Sequence, residues 1–254
     1  MGAAWTAVWD SPRPHVHPLR TLGGRLLTVD APADHPWHHG LWSTIKFVNS
    51  ENFWETYGEY GTLVTTDVAK ADGRVEASID WVAPGGEAIA VHETRELRTI
   101  EFGDHYAIDW TFALRPTVDT EFDRTPFTTW GGYGGLTLRG APDWTDTALV
   151  LPDGTPRDRV LGEPAPWCAL RSDAATIVIM DDPANVRFPT PWYGSNRAET
   201  YGEGWANFVN AAFLWDEPLR VRAGDTLRRR HRVVVADGAM PTDRIAEDFA
   251  AWSP

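Results

Sequence analysis

Three imidazoles, one carboxylate and two indoles stand within nine residues of this chain, in Asp34-His35-Pro36-Trp37-His38-His39-Gly40-Leu41-Trp42. Histidine is the side chain whose ordinary pKa lies nearest neutrality, so it serves as acid, base or metal ligand. Five of the eight histidines (His15, His17, His35, His38 and His39) precede residue 40, a density that packing alone does not require. Three roles are open to them: proton transfer, ligation of a divalent metal by His17 with His35, His38 or His39, and structural bonding to backbone. Neighbouring residues of an extended chain point to opposite sides, so only one of His38 and His39 faces a given cleft. His15 and His17, two apart, share a face. His35 precedes a proline and is held extended, and Asp34 can orient an adjoining imidazole.

Two further stretches combine polar and aromatic groups. In Phe47-Val48-Asn49-Ser50-Glu51-Asn52-Phe53-Trp54-Glu55, Asn49 and Asn52 can bond hydroxyls and Trp54 can stack. Glu55 can act as a general base if partly desolvated; the alternative is that Glu51 and Glu55 face water. Arg187-Phe188-Pro189-Thr190-Pro191-Trp192-Tyr193-Gly194-Ser195-Asn196 reads as a rigid loop, either a site wall or plain surface. Fourteen tryptophans recur along the chain. Most must be core, because each buries a large apolar area, and Trp37, Trp54, Trp130 and Trp192 are the candidates to shape a cleft. Aromatic faces suit the C–H faces of sugar rings, and flat aromatic ligands as well.

Several familiar signatures are missing. Trp130-Gly131-Gly132-Tyr133-Gly134-Gly135 lacks the lysine and helix of a phosphate loop, so its glycines allow a bulge or a close backbone approach to ligand. His92-Glu93-Thr94-Arg95-Glu96 has no second histidine for a zinc-protease helix, and Gly194-Ser195-Asn196 completes no nucleophile elbow. No paired carboxylates mark a glycosidase.

Strands must position these groups. Val75, Ala77, Ile79 and Trp81 alternate with polar residues, and so do Tyr106, Ile108, Trp110, Phe112 and Leu114, the period of half-buried antiparallel strands. Further strands are predicted over 25–29, 41–48, 62–69, 87–100, 129–138, 175–180, 219–222 and 227–235, separated by turns such as Ala71-Asp72-Gly73 and Ala223-Gly224-Asp225. One helix is predicted near 242–252, capped by Thr242 or Asp243. Residues 139–166 read as long loops. The expectation is one all-β domain over 1–254, a large antiparallel β-sandwich with a short C-terminal helix.

Composition narrows the function. The 254 residues are 43% hydrophobic with a formal net charge of −13, a globular make-up that repels nucleic acid and anionic membrane. No apolar run reaches the roughly 20 residues of a membrane span, and no secretory signal is read at the N-terminus. The single cysteine, Cys168, forms no internal disulfide and fits a cytoplasmic setting. Arg228-Arg229-Arg230-His231-Arg232 reads as the solvated part of a strand. Exposed tryptophans suit a homo-oligomer interface as well as a cleft.

A resemblance rests on the same stretches. Arg13-Pro14-His15-Val16-His17-Pro18-Leu19-Arg20, the histidine segment, and Asn49 through Trp54 resemble the bacterial PmoA-like family. Asp181 through Thr190, Ala223 through Leu227, Arg232 through Val235 and Asp237-Gly238 are similar to its later segments, so the likeness spans about residues 12–238. The family name comes from a membrane-bound methane monooxygenase subunit and does not guide function for a chain without a span. The resemblance implies a sandwich similar to the galactose-mutarotase supersandwich, and a sugar or oxidised-sugar substrate, because family members accompany sugar oxidoreductases.

Together these readings predict a carbohydrate-active enzyme using proton transfer: epimerisation, or elimination or hydrolysis of a keto-glycoside. His38 or His39 would act as acid or base, Glu55 as partner and His17 as second proton donor or orienter. His35, Asn49 and Arg187 would bind substrate beside the four tryptophans. No cofactor is demanded; a divalent metal held through His17, His35, His38 or His39 is the alternative use of the histidines. The rival readings are a non-catalytic sugar-binding module and a metal-dependent lyase or oxygenase.

Overall fold

A computed structural model of the chain describes residues 4–125, 132–197 and 205–253. In chain order the first strands are β1 (Trp5–Val8), β2 (His15–Leu19), β3 (Leu41–Ile45), β4 (Phe47–Val48) and β5 (Glu51–Asn52). Next come β6 (Thr62–Ala71), β7 (Arg74–Val82), β8 (Ile89–Glu101), β9 (His105–Pro116), β10 (Thr120–Asp123) and β11 (Gly134–Arg139). The second half holds β12 (Ala148–Val150), β13 (Pro156–Arg157), β14 (Arg159–Pro164), β15 (Trp167–Arg171) and β16 (Ala175–Asp181). It continues with β17 (Pro191–Ser195), β18 (Phe208–Ala211), β19 (Leu219–Val221), β20 (Leu227–Asp237) and helix α1 (Thr242–Trp252).

These strands build a nine-stranded sheet, β13-β12-β15-β16-β20-β9-β8-β7-β6, and a seven-stranded sheet, β1-β2-β3-β11-β18-β17-β14. A four-stranded ribbon, β19-β10-β4-β5, completes the fold. Neighbours in all three pair antiparallel among the described residues. The fold is thus the all-β sandwich that the alternation predicts. The β6–β7 hairpin shows the local cause: Asp72 and Gly73 both hold positive φ, at 41° and 75°, the left-handed pair that a tight two-residue turn requires.

One core lies between the large sheets. It joins Trp81, Leu97, Trp110 and Phe112 of the nine-stranded sheet to Val16, Leu41, Leu136, Leu138 and Val209 of the seven-stranded one. Several of its tryptophans carry a satisfied N–H: Trp81 donates to Glu93 at 2.7 Å, Trp144 to Ser172 at 2.8 Å and Trp192 to the Ala165 carbonyl at 2.8 Å. Helix α1 covers the outer face of the nine-stranded sheet, where Ile245 and Trp252 pack on Val178, Met180 and Val234. The outer face of the seven-stranded sheet carries Trp42, Tyr193 and Phe208. Both sheets are therefore covered on two faces where they matter, and β3, β11, β16, β17 and β18 are buried along their whole length.

Four expectations need correction. Residues 25–29 form only isolated bridges, Arg20 to Leu26 and Thr28 to Gly140. Segments 139–166 and 187–196, read as loops, contain β12 to β14 and β17, short strands whose prolines and glycines mask the alternation. Helix α1 starts after Pro241 with no side-chain cap. The basic run is no solvated strip: Arg229, Arg230 and Arg232 on β20 bond Asp181, Asp182 and Asp109 at 2.9, 2.8 and 2.6 Å, and His231 is buried. Among the described residues no helix is long and apolar enough to cross a membrane.

Candidate functional site

The histidine segment is a closed loop anchored at both ends. Asp30 bridges His39, the Ala31 amide donates to the His38 carbonyl at 2.9 Å, and the Gly40 amide to the Val29 carbonyl at 2.9 Å. Arg139 on β11 reaches out of the sheet and bonds Asp34 at 2.7 Å, with both side chains buried. Asp34 also lies 3.5 Å from His35 Nδ1, so it stands between the sheet's cation and the first imidazole of the loop.

Consecutive residues then diverge. His38 turns onto the outer face of the seven-stranded sheet, stacks on His35 at 4.6 Å and packs against Trp42 at 5.3 Å and Phe208 at 5.1 Å. His35, His38 and Glu55 line one cavity with the rings of Trp37, Trp54, Tyr133, Tyr193 and Phe208. Its volume is about 80 Å³, room for several waters where one needs about 10–15 Å³. That admits a small polar molecule or part of a sugar ring. Burial holds the His38 pKa well below its ordinary value, with His35 and Arg139 adding to the effect, so the imidazole is neutral and offers a lone pair. Burial pushes the Tyr133 phenol up to about 12, which keeps it a proton-bearing donor.

Glu55 reaches the cavity from a different element. Asn52 Oδ1 accepts the amides of Trp54 at 2.9 Å and Glu55 at 3.3 Å, folding the chain after β5 into a turn. The buried Arg13 gathers the carbonyls of Trp54, Glu55 and Gly61. The Glu55 carboxylate pairs with Lys46. An ion-paired carboxylate is acceptor-only, suited to a substrate hydroxyl or to receiving a proton.

The other face of the loop is different. His39 Nδ1 bonds Asp30 Oδ1 at 2.7 Å, and His15 Nε2 lies 3.4 Å from the same oxygen. The His15 and His39 rings stack at 5.0 Å. His15 Nδ1 meets the Arg13 carbonyl at 2.8 Å; a carbonyl only accepts, so Nδ1 carries the proton and Nε2 the lone pair. Burial lowers the His15 pKa to about 4. His17 bonds Thr28 Oγ1 at 2.9 Å, and burial lowers its pKa while Asp30 opposes the shift.

The structure therefore sorts the predicted site residues. His35, Trp37, His38, Trp54 and Glu55 meet in the cavity. His17 and His39 stand on the opposite side of the loop, so His17 shares no metal with His35 or His38. Asn49 is exposed, caps the Glu121 amide at 2.8 Å and lies by β10. Arg187 clamps the carbonyls of Phe213, Glu217 and Pro218. Trp192 is core, and its neighbour Tyr193 faces the cavity instead. Trp130 lies outside the described residues. Gly132 approaches protein: a Cβ there would sit 2.6 Å from the Trp215 backbone. Sequence reasoning passed over Lys46, Asp30 and Phe208, and held Tyr133 and Tyr193 only within longer stretches without singling them out. Strand alternation from Trp192 would have exposed Tyr193; Lys46 and Asp30 carry no local signal.

Fold and cavity together define an antiparallel β-sandwich with a half-open aromatic and histidine site on the outer face of its seven-stranded sheet. The chain belongs to the family of unknown function DUF6807, whose sequence model matches residues 3–250. No curated protein matches it.

Proposed function

We propose that the chain is a carbohydrate-active enzyme that moves protons on a sugar or keto-glycoside held in the aromatic cavity. The observation that carries this reading is the placement of a neutral imidazole, His38, and an ion-paired carboxylate, Glu55, in one cavity walled by indole, phenol and phenyl rings. Rings recognise the C–H faces of a sugar, and the polar groups recognise its hydroxyls. The likeness of the histidine segment to the PmoA-like family supports the same substrate class, and two large antiparallel sheets packed face to face suit a mutarotase-like sandwich.

Elimination from a keto-glycoside fits the donors and acceptors best. A base, His38 or Glu55, takes the proton on the carbon next to the ketone. The freed pair forms a C=C bond as the bond to the leaving oxygen breaks, and that oxygen receives a proton from a donor such as Tyr133. Anomeric epimerisation uses the same acid and base without loss of a group.

The test is turnover of a panel of free sugars and keto-glycosides by wild type, His38→Ala and Glu55→Gln. Loss of one acid–base group is expected to lower kcat about 10²–10⁴-fold. Undiminished turnover in both variants sinks the assignment. Saturable binding without turnover, abolished by Trp54→Ala and retained by His38→Ala, identifies a sugar-binding module instead.

A further inference from the structure

We propose that His15, Asp30 and His39 bind one divalent first-row transition ion of the zinc class, on the side of the histidine loop opposite the aromatic cavity. Among the described residues this is the group of three histidine and carboxylate side chains whose ligand atoms all lie within 4.8 Å of one another. Two imidazoles and a carboxylate are an established donor set for such ions.

The geometry suits an ion better than the bare protein. His15 Nε2 carries a lone pair and faces Asp30 Oδ1 at 3.4 Å, acceptor against acceptor. His15 is 3% exposed and its Nε2 has no hydrogen-bond partner among the described residues. A cation between these atoms turns the conflict into bonds. Tetrahedral legs of about 2.0–2.1 Å separate two ligand atoms by about 3.3–3.4 Å, which the His15–Asp30 pair already satisfies. The His39 Nδ1–Asp30 contact of 2.7 Å is spanned by a proton and has to open by roughly 0.6 Å to share an ion on the same arithmetic. The Arg13 carbonyl on His15 Nδ1 is the outer partner that fixes the tautomer of a ligating imidazole. The Asp30 side chain is 36% exposed, so ions enter from solvent and solvent completes the coordination. Three elements are tied at this point: β2 through His15, the start of the loop through Asp30 and its end through His39.

The site shares no side chain with the cavity, so the two proposals fail separately. Chelator-treated protein is titrated with Co²⁺ alone, followed by visible absorption and calorimetry, then challenged with Zn²⁺. Saturation at one equivalent is expected, with displacement by Zn²⁺ and a rise in Tm. Asp30→Asn and His39→Ala are expected to weaken binding by more than about 100-fold, the upper range for loss of a mere outer partner, while His38→Ala keeps it. Should His39→Ala fail to fold, X-ray absorption of the Zn²⁺-loaded wild type reads the imidazole ligands directly. No saturable binding, unchanged affinity in Asp30→Asn, or a spectrum without imidazole overturns the proposal.

Discussion

At the scale of the residue, adjacent side chains in one loop serve different surroundings. His38 is enclosed by rings, whereas His39 meets a carboxylate and a second imidazole. Beside the backbone bonds at its two ends, the buried pair Arg139–Asp34 at 2.7 Å ties the loop to the sheet. Removing one partner of a buried pair strands the other charge, at about 3–5 kcal/mol, whereas replacing both with apolar groups costs far less. Arg139→Ala is therefore expected to lower the unfolding free energy in urea by that amount, and Arg139→Met combined with Asp34→Ala to recover much of it. A wild-type midpoint for Arg139→Ala would show that the pair does not anchor the loop. Asp34 was legible as a group beside an imidazole. Its cation, 105 residues away, was not, because nothing local relates the two positions.

At the scale of the element, Gly40 joins the histidine loop to β3. Its φ is +55°, and an added Cβ would stand 2.5 Å from the Val16 carbonyl of β2. Gly24, at φ +90°, has open space around it. Alanine at either position meets the left-handed penalty of about 1–2 kcal/mol, but only at Gly40 must a backbone strand also move. Gly40→Ala is expected to lose clearly more stability than Gly24→Ala, and to diminish both sugar turnover and Co²⁺ binding, since β2 carries His15 and the loop carries His38 and His39. Thermal unfolding of the two variants side by side decides it; equal losses would mean that β2 yields freely. The same scale explains Trp192. Proline-rich sequence concealed β17, and once that strand exists, alternation sends Trp192 to the core and Tyr193 to the cavity.

At the scale of the whole molecule, buried histidines make the fold sensitive to acid. His231 on β20 is wholly enclosed, 3.5 Å from Asp181, and burial, reinforced by the charge of Arg229, holds its pKa well below 6.5. In the unfolded chain this imidazole takes up a proton near pH 6.5, and in the fold it does not. The unfolded state therefore binds more protons below that pH, and stability falls as pH drops, by up to about 1.4 kcal/mol per pH unit for each such histidine. Urea midpoints measured with chelator present from pH 7.5 to about pH 5.5 are expected to fall, and His231→Asn to flatten the slope whatever its absolute stability. An unchanged slope in that variant would show that His231 protonates in the folded protein.

The amino-acid sequence alone determined the architecture and the neighbourhood of the chemistry. Period-two burial is a local property, so the long strands and the sandwich followed from it; the terminal helix followed from its own 3.6-residue apolar face, and a cluster of histidines is visible wherever it folds. Tertiary structure alone decided who faces whom. It sent His38 and His39 apart, gave Glu55 its lysine, placed Asn49 and Arg187 in the scaffold, and set His15 beside His39 across 24 residues of chain. Such meetings depend on strand order and register across two packed sheets. Residues far apart in sequence become neighbours there through the burial of other side chains, which leaves no mark on the residues that meet.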